Sequence, residues 1–168
     1  MQQQSYKNAI KNHKFHWWWN SRKIIFSTLL KKFIRRKHIK ILDFGSGVGS
    51  NLSMLTKFGK CDAFEVNNEA IYHLKKRFNV IKKIKKKYDL IFFTDTLEHI
   101  KNDKKILSFL NRHLNKNGII FITVPAFNFL WTSKDEALNH FRRYNKKSLL
   151  KVIPKKFEIV KFSYFNTL

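Results

Sequence analysis

Apolar positions along the chain alternate between two rhythms. Asn20 or Ser21 can cap a helix, and Ile25, Phe26, Leu29, Leu30 and Phe33 then recur at helical spacing, predicting a helix to about Lys37. "IKILDFG" (39–45) is an almost unbroken apolar run ending in glycine, the pattern of a strand buried on both faces. "SNLSMLTKF" (50–58) reads as helix, "KCDAFEV" (60–66) as strand and "NEAIYHLKKRF" (68–78) as helix. The basic connector "NVIKKIKKK" leaves room for only a very short third strand before the apolar strand "YDLIFFTD" (88–95). Asn102 caps a helix with Ile106, Leu110 and Leu114 on one face, ended near Gly118. "GIIFITVP" (118–125) is a strand stopped by Pro125. A loop of aromatic and polar residues leads into the helix "NKKSLLKVI" and a last strand, "KFEIVKFSYF" (156–165).

Strands alternating with helices predict an α/β fold: a Rossmann-like, doubly wound, mainly parallel sheet with helices on both faces. No repeat or Pro/Gly-rich linker divides the 168 residues, so a single domain is expected, with 1–38 as a helical lid region and 39–168 as the core. Right-handed crossovers place the strand-to-helix loops at one sheet edge, where such folds bind ligands.

Composition adds limits. A hydrophobic content of 43% with 17 Phe supports a packed core. The lone cysteine, Cys61, rules out an intrachain disulfide and suits a reducing, cytoplasmic setting. "MQQQSYKNAIKNHK" lacks the apolar stretch of a signal peptide, and "IIFSTLLKKFI" is too short and too polar to span a bilayer. With 35 Lys+Arg against 11 Asp+Glu, the net charge is +24. Such a field favours anionic partners: acidic lipid headgroups, phosphorylated small molecules or RNA. A Lys-rich composition throughout is the plainer explanation of the same charge.

Chemistry concentrates at the predicted ligand edge. "LDFGSGVGSN" offers Gly45, Gly47 and Gly49 in a G-x-G-x-G turn preceded by Asp43. A dinucleotide fingerprint needs glycine at position 50, where Ser50 stands, and an anionic pyrophosphate would not favour Asp43. A cationic ligand would. Glu65 ends the second strand, twenty residues after Gly45, placed to accept hydrogen bonds from a ribose; Asp62 is a rival but sits mid-strand. "TDTLEHI" follows the fourth strand and falls beside the glycine turn in the order 2-1-4.

Together these motifs resemble the class I S-adenosylmethionine-dependent methyltransferases, in particular the small-molecule branch that includes the ubiquinone-biosynthesis O-methyltransferases. "DEALNHFRRYNKKSL" resembles a variant associated with polysaccharide and lipid assembly. The resemblance implies S-adenosylmethionine as cofactor and methyl transfer, at oxygen, to a small-molecule, sugar or lipid-linked acceptor. It implies that Asp43 faces the methionine amino group and that Gly45, Ser46, Gly47 and Gly49 line the ligand. Glu65 would hold the ribose with Val66 and Asn67 beside it, and Thr94, Asp95, Thr96 and Leu97 would line the methionine side. An oxygen acceptor also needs a proton acceptor, for which His99 and His140 are candidates, with Glu98 as the alternative should a divalent metal take part. No metal-ligand spacing assigns a site. Arg142, Arg143 and Tyr144 suit a phosphate or carboxylate on the acceptor.

In "WWWNSRK" (17–23), neighbouring residues of a helix point about 100° apart, so Trp17, Trp18 and Trp19 cannot all face one core. Methyltransferases of this kind often fold the segment before the first strand over the cofactor, which implies that Trp18 or Trp19 covers the ligand and that Arg22 pairs with its carboxylate. The competing reading is an interfacial anchor on an anionic membrane. Two features depart from the family: no acid follows the third strand to contact adenine, and the sequence shows no final antiparallel strand, leaving an expected open edge. Two other functions compete. One is an RNA methyltransferase, although "TDTL" lacks the Pro-Pro-aromatic element of base-amino methylation. The other is a non-catalytic cofactor-binding or basic interaction module.

Overall fold

A computed structural model describes residues 17–165. Helix α1 (Trp17–Phe33) precedes the alternation β1 (Ile39–Phe44), α2 (Leu52–Leu55), β2 (Gly59–Phe64), α3 (Asn68–Lys75), β3 (Asn79–Val80) and β4 (Tyr88–Thr94). Then follow α4 (Asp103–Arg112), β5 (Leu114–Thr123), α5 (Ser133–Ala137) and α6 (Lys146–Val152). Five parallel strands form one sheet in the order β3-β2-β1-β4-β5. The expected fold class and the central order 2-1-4 are both present.

The sheet is apolar on both sides, which is why its strands read as continuous apolar runs. Ile41, Ala63, Leu90 and Phe92 face one layer, packed under Phe26 and Leu30 of α1, Leu52 and Leu55 of α2 and Leu74 of α3. Alternate residues, Leu42, Phe44, Ile91 and Phe93, face the other layer with Leu107 and Leu110 of α4 and Leu149 of α6. Phe26 is the hub of the first layer. It is 1% exposed and meets Phe92, Phe121 and Phe165 edge-on at 5.6, 5.1 and 5.8 Å between ring centres. Phe26→Ala is expected to cost about 3–5 kcal/mol, read as a lower urea midpoint at unchanged slope.

Several expectations change. Residues 17–20 are already helical, so neither Asn20 nor Ser21 is the cap, and α1 ends at Phe33, short of Lys37. The helix expected over 50–58 contracts to Leu52–Leu55, and β5 begins earlier, at Leu114. The predicted last strand, 156–165, is not a strand: it joins no ladder among the described residues, although Phe157, Phe162 and Phe165 pack on the core. Alternating apolar residues favour a strand only where a neighbouring strand supplies hydrogen bonds. An apolar cavity of about 260 Å³ lies between β5 and this segment, lined by Phe26, Phe121, Leu149, Ile153 and Phe162 among others. The signal-peptide expectation concerns residues 1–14, outside the described residues. Among the described residues no helix is long and apolar enough to cross a membrane.

Candidate active site

The carboxyl ends of β1, β2, β4 and β5 bring the candidate residues to one edge. The turn after β1 is held by backbone bonds from the Gly45 and Ser46 N–H groups to the Phe64 carbonyl, at 2.9 and 3.2 Å. Gly45 has φ +77°, and a Cβ there would lie 2.4 Å from the Thr96 hydroxyl, so only glycine fits against the loop after β4. Gly47 is different: at φ +53° a Cβ would meet nothing within 4 Å, and its backbone faces open space that a ligand can approach.

Asp43 lies beneath this turn between Ala63 of β2 and Phe92 of β4. It is 2% exposed, and its Oδ2 has no hydrogen-bond partner. Burial pushes its carboxyl up to about 7; hydrogen bonding by Ser46 opposes the shift and the charge of Glu65 adds to it. A buried, unpaired carboxylate is costly, and a cationic ligand is what would satisfy it.

Glu65 turns its carboxylate onto the backbone. Oε1 accepts from the Val66 and Asn67 N–H groups at 2.7 and 2.9 Å, and Oε2 accepts from Gly47 N–H at 2.7 Å. Three of about four lone-pair positions are thus occupied, so two ribose hydroxyls would have to displace part of this cradle. Val66 is 80% exposed beside it, and Asn67 caps α3 by accepting from Ala70 N–H at 3.0 Å.

On the far side, Asp95 has the left-handed φ of +48°, uncommon away from glycine and frequent at functional turns. It forms an ion pair with Arg22 at 2.5 Å and accepts from the Thr123 hydroxyl at 2.9 Å, which in turn accepts from Arg22 at 3.2 Å. The Arg22 guanidinium is buried between Trp18 and Trp19, 5.8 and 5.6 Å from their ring centres, and Phe26 and Phe165. Trp18 and Trp19 are half-buried around it, whereas Trp17 is 70% exposed. In this conformation Arg22 pairs with a carboxylate of the chain itself, where pairing with a ligand was expected. Thr94 accepts a long 3.4 Å bond from Asn51, and Thr96 donates to the Thr94 carbonyl at 2.8 Å. Leu97 is fully buried in the core, so its side chain presents nothing to a ligand.

Next to this edge sits a second group. The rings of His99 and His140 meet edge-on, 4.6 Å apart, and donor atoms of Glu98, His99 and His140 all lie within 4.8 Å of one another. Glu98 is 1% exposed with its Oε2 unpartnered; burial, reinforced by Asp95, pushes its carboxyl up to about 8. Burial and the neighbouring His140 lower the pKa of His99, favouring a neutral ring able to take a proton. His140 Nδ1 lies 2.8 Å from Asp135 Oδ1, which fixes the orientation of the ring.

Asp135 was not singled out from the sequence, and it organises this loop. It is 1% exposed, receives two bonds from Arg143 at 2.9 and 2.8 Å, and closes a capping box with the Thr132 N–H at 2.9 Å. Arg143 is therefore engaged inside the protein, as is Arg142, which donates to Asp103 at 2.7 Å and to the Lys101 carbonyl at 2.9 Å. Tyr144 is 3% exposed and donates to the same Asp103 at 3.1 Å. These three residues, expected to face the acceptor, here tie the loop after β5 to α4 and α5. Thr123 and Asn51 also escaped the sequence reading, since an isolated Thr or Asn carries no spacing signal.

A protein-family model described as "Methyltransferase domain" matches residues 17–155. The chain belongs to this methyltransferase-domain family. No curated protein matches it. Among solved structures, it is similar to a SAM-dependent methyltransferase from Archaeoglobus fulgidus, with 17% identity over 77% of this chain and 66% of that one and a TM-score of 0.60. It is also similar to the glycopeptide N-methyltransferase MtfA, with 12% identity, 65% and 54% coverage and a TM-score of 0.55. Coclaurine N-methyltransferase, bound to N-methylheliamine and SAH, gives 19%, 60% and 34% with a TM-score of 0.52. At these identities the likeness is one of fold, and the chain spans 34% to 66% of the length of these proteins.

Proposed function

We propose that the protein is an S-adenosylmethionine-dependent methyltransferase acting on a small-molecule, sugar or lipid-linked acceptor, at oxygen. The observation that carries this reading is Asp43: a buried, unpartnered carboxylate under a glycine turn, with Glu65 18 residues beyond Gly47 and bonded to it. Family membership supports the cofactor, and two of the solved relatives are named as N-methyltransferases of a glycopeptide and of coclaurine.

In this reading the amino group of the cofactor's methionine approaches Asp43, and the open backbone at Gly47 accommodates the ligand. Glu65 turns from its backbone cradle to the ribose, and exposed Val66 supplies an apolar surface for adenine. Arg22, sheathed by Trp18 and Trp19, exchanges Asp95 for the cofactor carboxylate. The methyl group is already activated by its sulfonium, so alignment of the acceptor along the S–CH3 bond is the main task of the protein. The proton of an oxygen acceptor leaves through the Glu98–His99–His140 cluster.

Incubation with methyl-labelled S-adenosylmethionine and fractionated cell extract tests this reading. Label is expected in small-molecule or lipid fractions and to be lost with Glu65→Ala. Label confined to RNA would transfer the reading to the nucleic-acid branch, which the +24 charge favours. Cofactor binding with no label in any fraction would mark a binding module.

A further inference from the structure

We propose that the amino-terminal edge of the sheet, opposite the reaction centre, is a docking surface for the phosphate backbone of a nucleic acid that is not the methyl acceptor. The inference goes beyond the methyl-transfer reading and does not depend on it.

Charge on the molecule is segregated, which a Lys-rich composition alone would not produce. In a parallel sheet the segments that enter the strands share one edge. Here "RRKH" (35–38) leads into β1 and "KKIKKK" (82–87) into β4, while Lys57 and Lys60 flank the start of β2 and Arg112 and Lys116 that of β5. All of these cations are exposed. Among the described residues only two acids lie toward this edge, and both are engaged. Asp62 is 1% exposed and bonded to Asn79, Tyr88 and Lys86, and Asp89 accepts from the Lys40 N–H and from Asn115 at 2.8 and 2.9 Å. The acids gather at the other edge instead. Asp43, Glu65, Asp95 and Glu98 stand at the carboxyl ends of the strands, and α3, α4 and α5 each carry acid in the first turn. Helix dipoles account for those first-turn acids. They give no reason for five lysines in the six residues 82–87, which form no helix.

The geometry suits a phosphate backbone. Neighbouring strands lie about 4.8 Å apart, so the entries to β2, β1, β4 and β5 make a basic strip roughly 15 Å long. A nucleic-acid strand carries one charge about every 3.4 Å along such a strip. Lysine dominates it, and ammonium groups act as point charges on phosphates, so docking is independent of base sequence. Among the described residues no exposed large apolar side chain lies in 34–40, 57–60, 81–87 or 112–117; such groups sit elsewhere, at Trp17, Phe129, Phe141 and Val160 for instance. The strip therefore has no wedge for a lipid bilayer and no stacking platform for unpaired bases. A duplex backbone needs neither. The six residues of β1 set the strip about 20 Å from the glycine turn, and the acids of the carboxyl edge repel a polyanion from the reaction centre. Docking thus holds the protein on nucleic acid while the site stays open to its own substrate.

The test uses the full chain and three probes: a labelled RNA duplex, a DNA duplex of the same sequence, and vesicles containing phosphatidylglycerol. Binding is read by fluorescence anisotropy, or by co-sedimentation for vesicles, between about 50 and 200 mM salt. The parent is expected to bind a duplex with an affinity that falls steeply with salt, and the two duplexes show whether RNA or DNA is held. One variant carries Lys82, Lys83, Lys85 and Lys87 as Gln, with Lys86 kept because it pairs with buried Asp62. It should bind at least about tenfold more weakly, with a log–log salt slope shallower by about 3–4. A charge-matched variant carries Lys101, Lys104, Lys105 and Lys134 of the carboxyl edge as Gln and should keep the slope of the parent. Both variants should bind S-adenosylmethionine like the parent, with or without duplex. A folded parent that binds neither duplex overturns the proposal. Equal weakening in the two variants also overturns it, because total charge alone then governs binding. Binding to vesicles and to neither duplex would give this edge to a lipid surface, and competition between duplex and cofactor would move the nucleic acid to the reaction edge; either result overturns the proposal. Duplex binding without cofactor binding would support it and overturn the functional reading instead.

Discussion

Asp43→Asn is expected to bind S-adenosylmethionine at least 100-fold more weakly than the parent while unfolding at a higher temperature. The two effects have one cause. Asp43 sits in the sheet at 2% exposure, with an oxygen that no donor satisfies. Its carboxyl is raised from 3.8 to about 7, chiefly by burial. Between those values the folded protein keeps a proton that the unfolded chain has released. Stability therefore declines as pH rises from about 4 to about 7, and Glu98, raised to about 8, acts in the same direction. Above pH 7 the ionised Asp43 costs on the order of a few kcal/mol, which the neutral amide avoids. The ammonium of a bound methionine is what makes that charge useful. Cofactor affinity of the parent should accordingly rise between pH 6 and pH 8, and the variant should lose this dependence. Calorimetric titration and thermal unfolding at both pH values check the pair of effects. A variant that binds as well as the parent would detach Asp43 from the cofactor.

A loss of stability of about 3–5 kcal/mol is expected from Asp135→Asn, read from urea unfolding at neutral pH. Burial works against the Asp135 charge, but hydrogen bonds from Arg143, Thr132 and His140 outweigh it and hold the carboxyl well below the usual range. The substitution leaves Arg143, only 18% exposed, without its bidentate partner. The sign is opposite to that of Asp43. A depressed carboxyl stabilises fully above the unfolded pKa and loses its contribution as pH falls below about 4. The parent should therefore weaken steeply in acid, and the variant should show a shallower acid limb from its lower plateau. An unchanged urea midpoint would mean that the loop after β5 is held by other contacts.

The contrast between these two aspartates shows what a sequence makes legible. Asp43, Gly45 and Gly47 lie within five residues, and their meaning comes from a local rule: a buried strand ending in a turn that needs left-handed backbone. Glu65 follows from the same rhythm one strand later, and the sheet order follows from right-handed crossovers. The pairs that set the other half of the site are long-range. Arg22 and Thr123 are 101 residues apart, and Asp103 and Arg142 are 39 apart. No periodicity announces such pairs, so Arg142 and Arg143 read as free cations when the fold had already matched them with carboxylates. Asp135 lies within "DEALNHFRRYNKKSL", yet its role depends on a loop geometry that only tertiary structure defines. The segment 156–165 failed for a related reason: its alternation is local, but a strand exists only where a partner edge meets it.

The most direct test of the central claim is calorimetric titration of the protein with S-adenosylmethionine at pH 8, with Glu65→Ala and Asp43→Asn alongside. The account predicts saturable binding at one site per chain, weakened clearly in both variants while each remains folded by circular dichroism. A folded parent that releases no heat and shows no saturation, or binding that neither substitution alters, would contradict it.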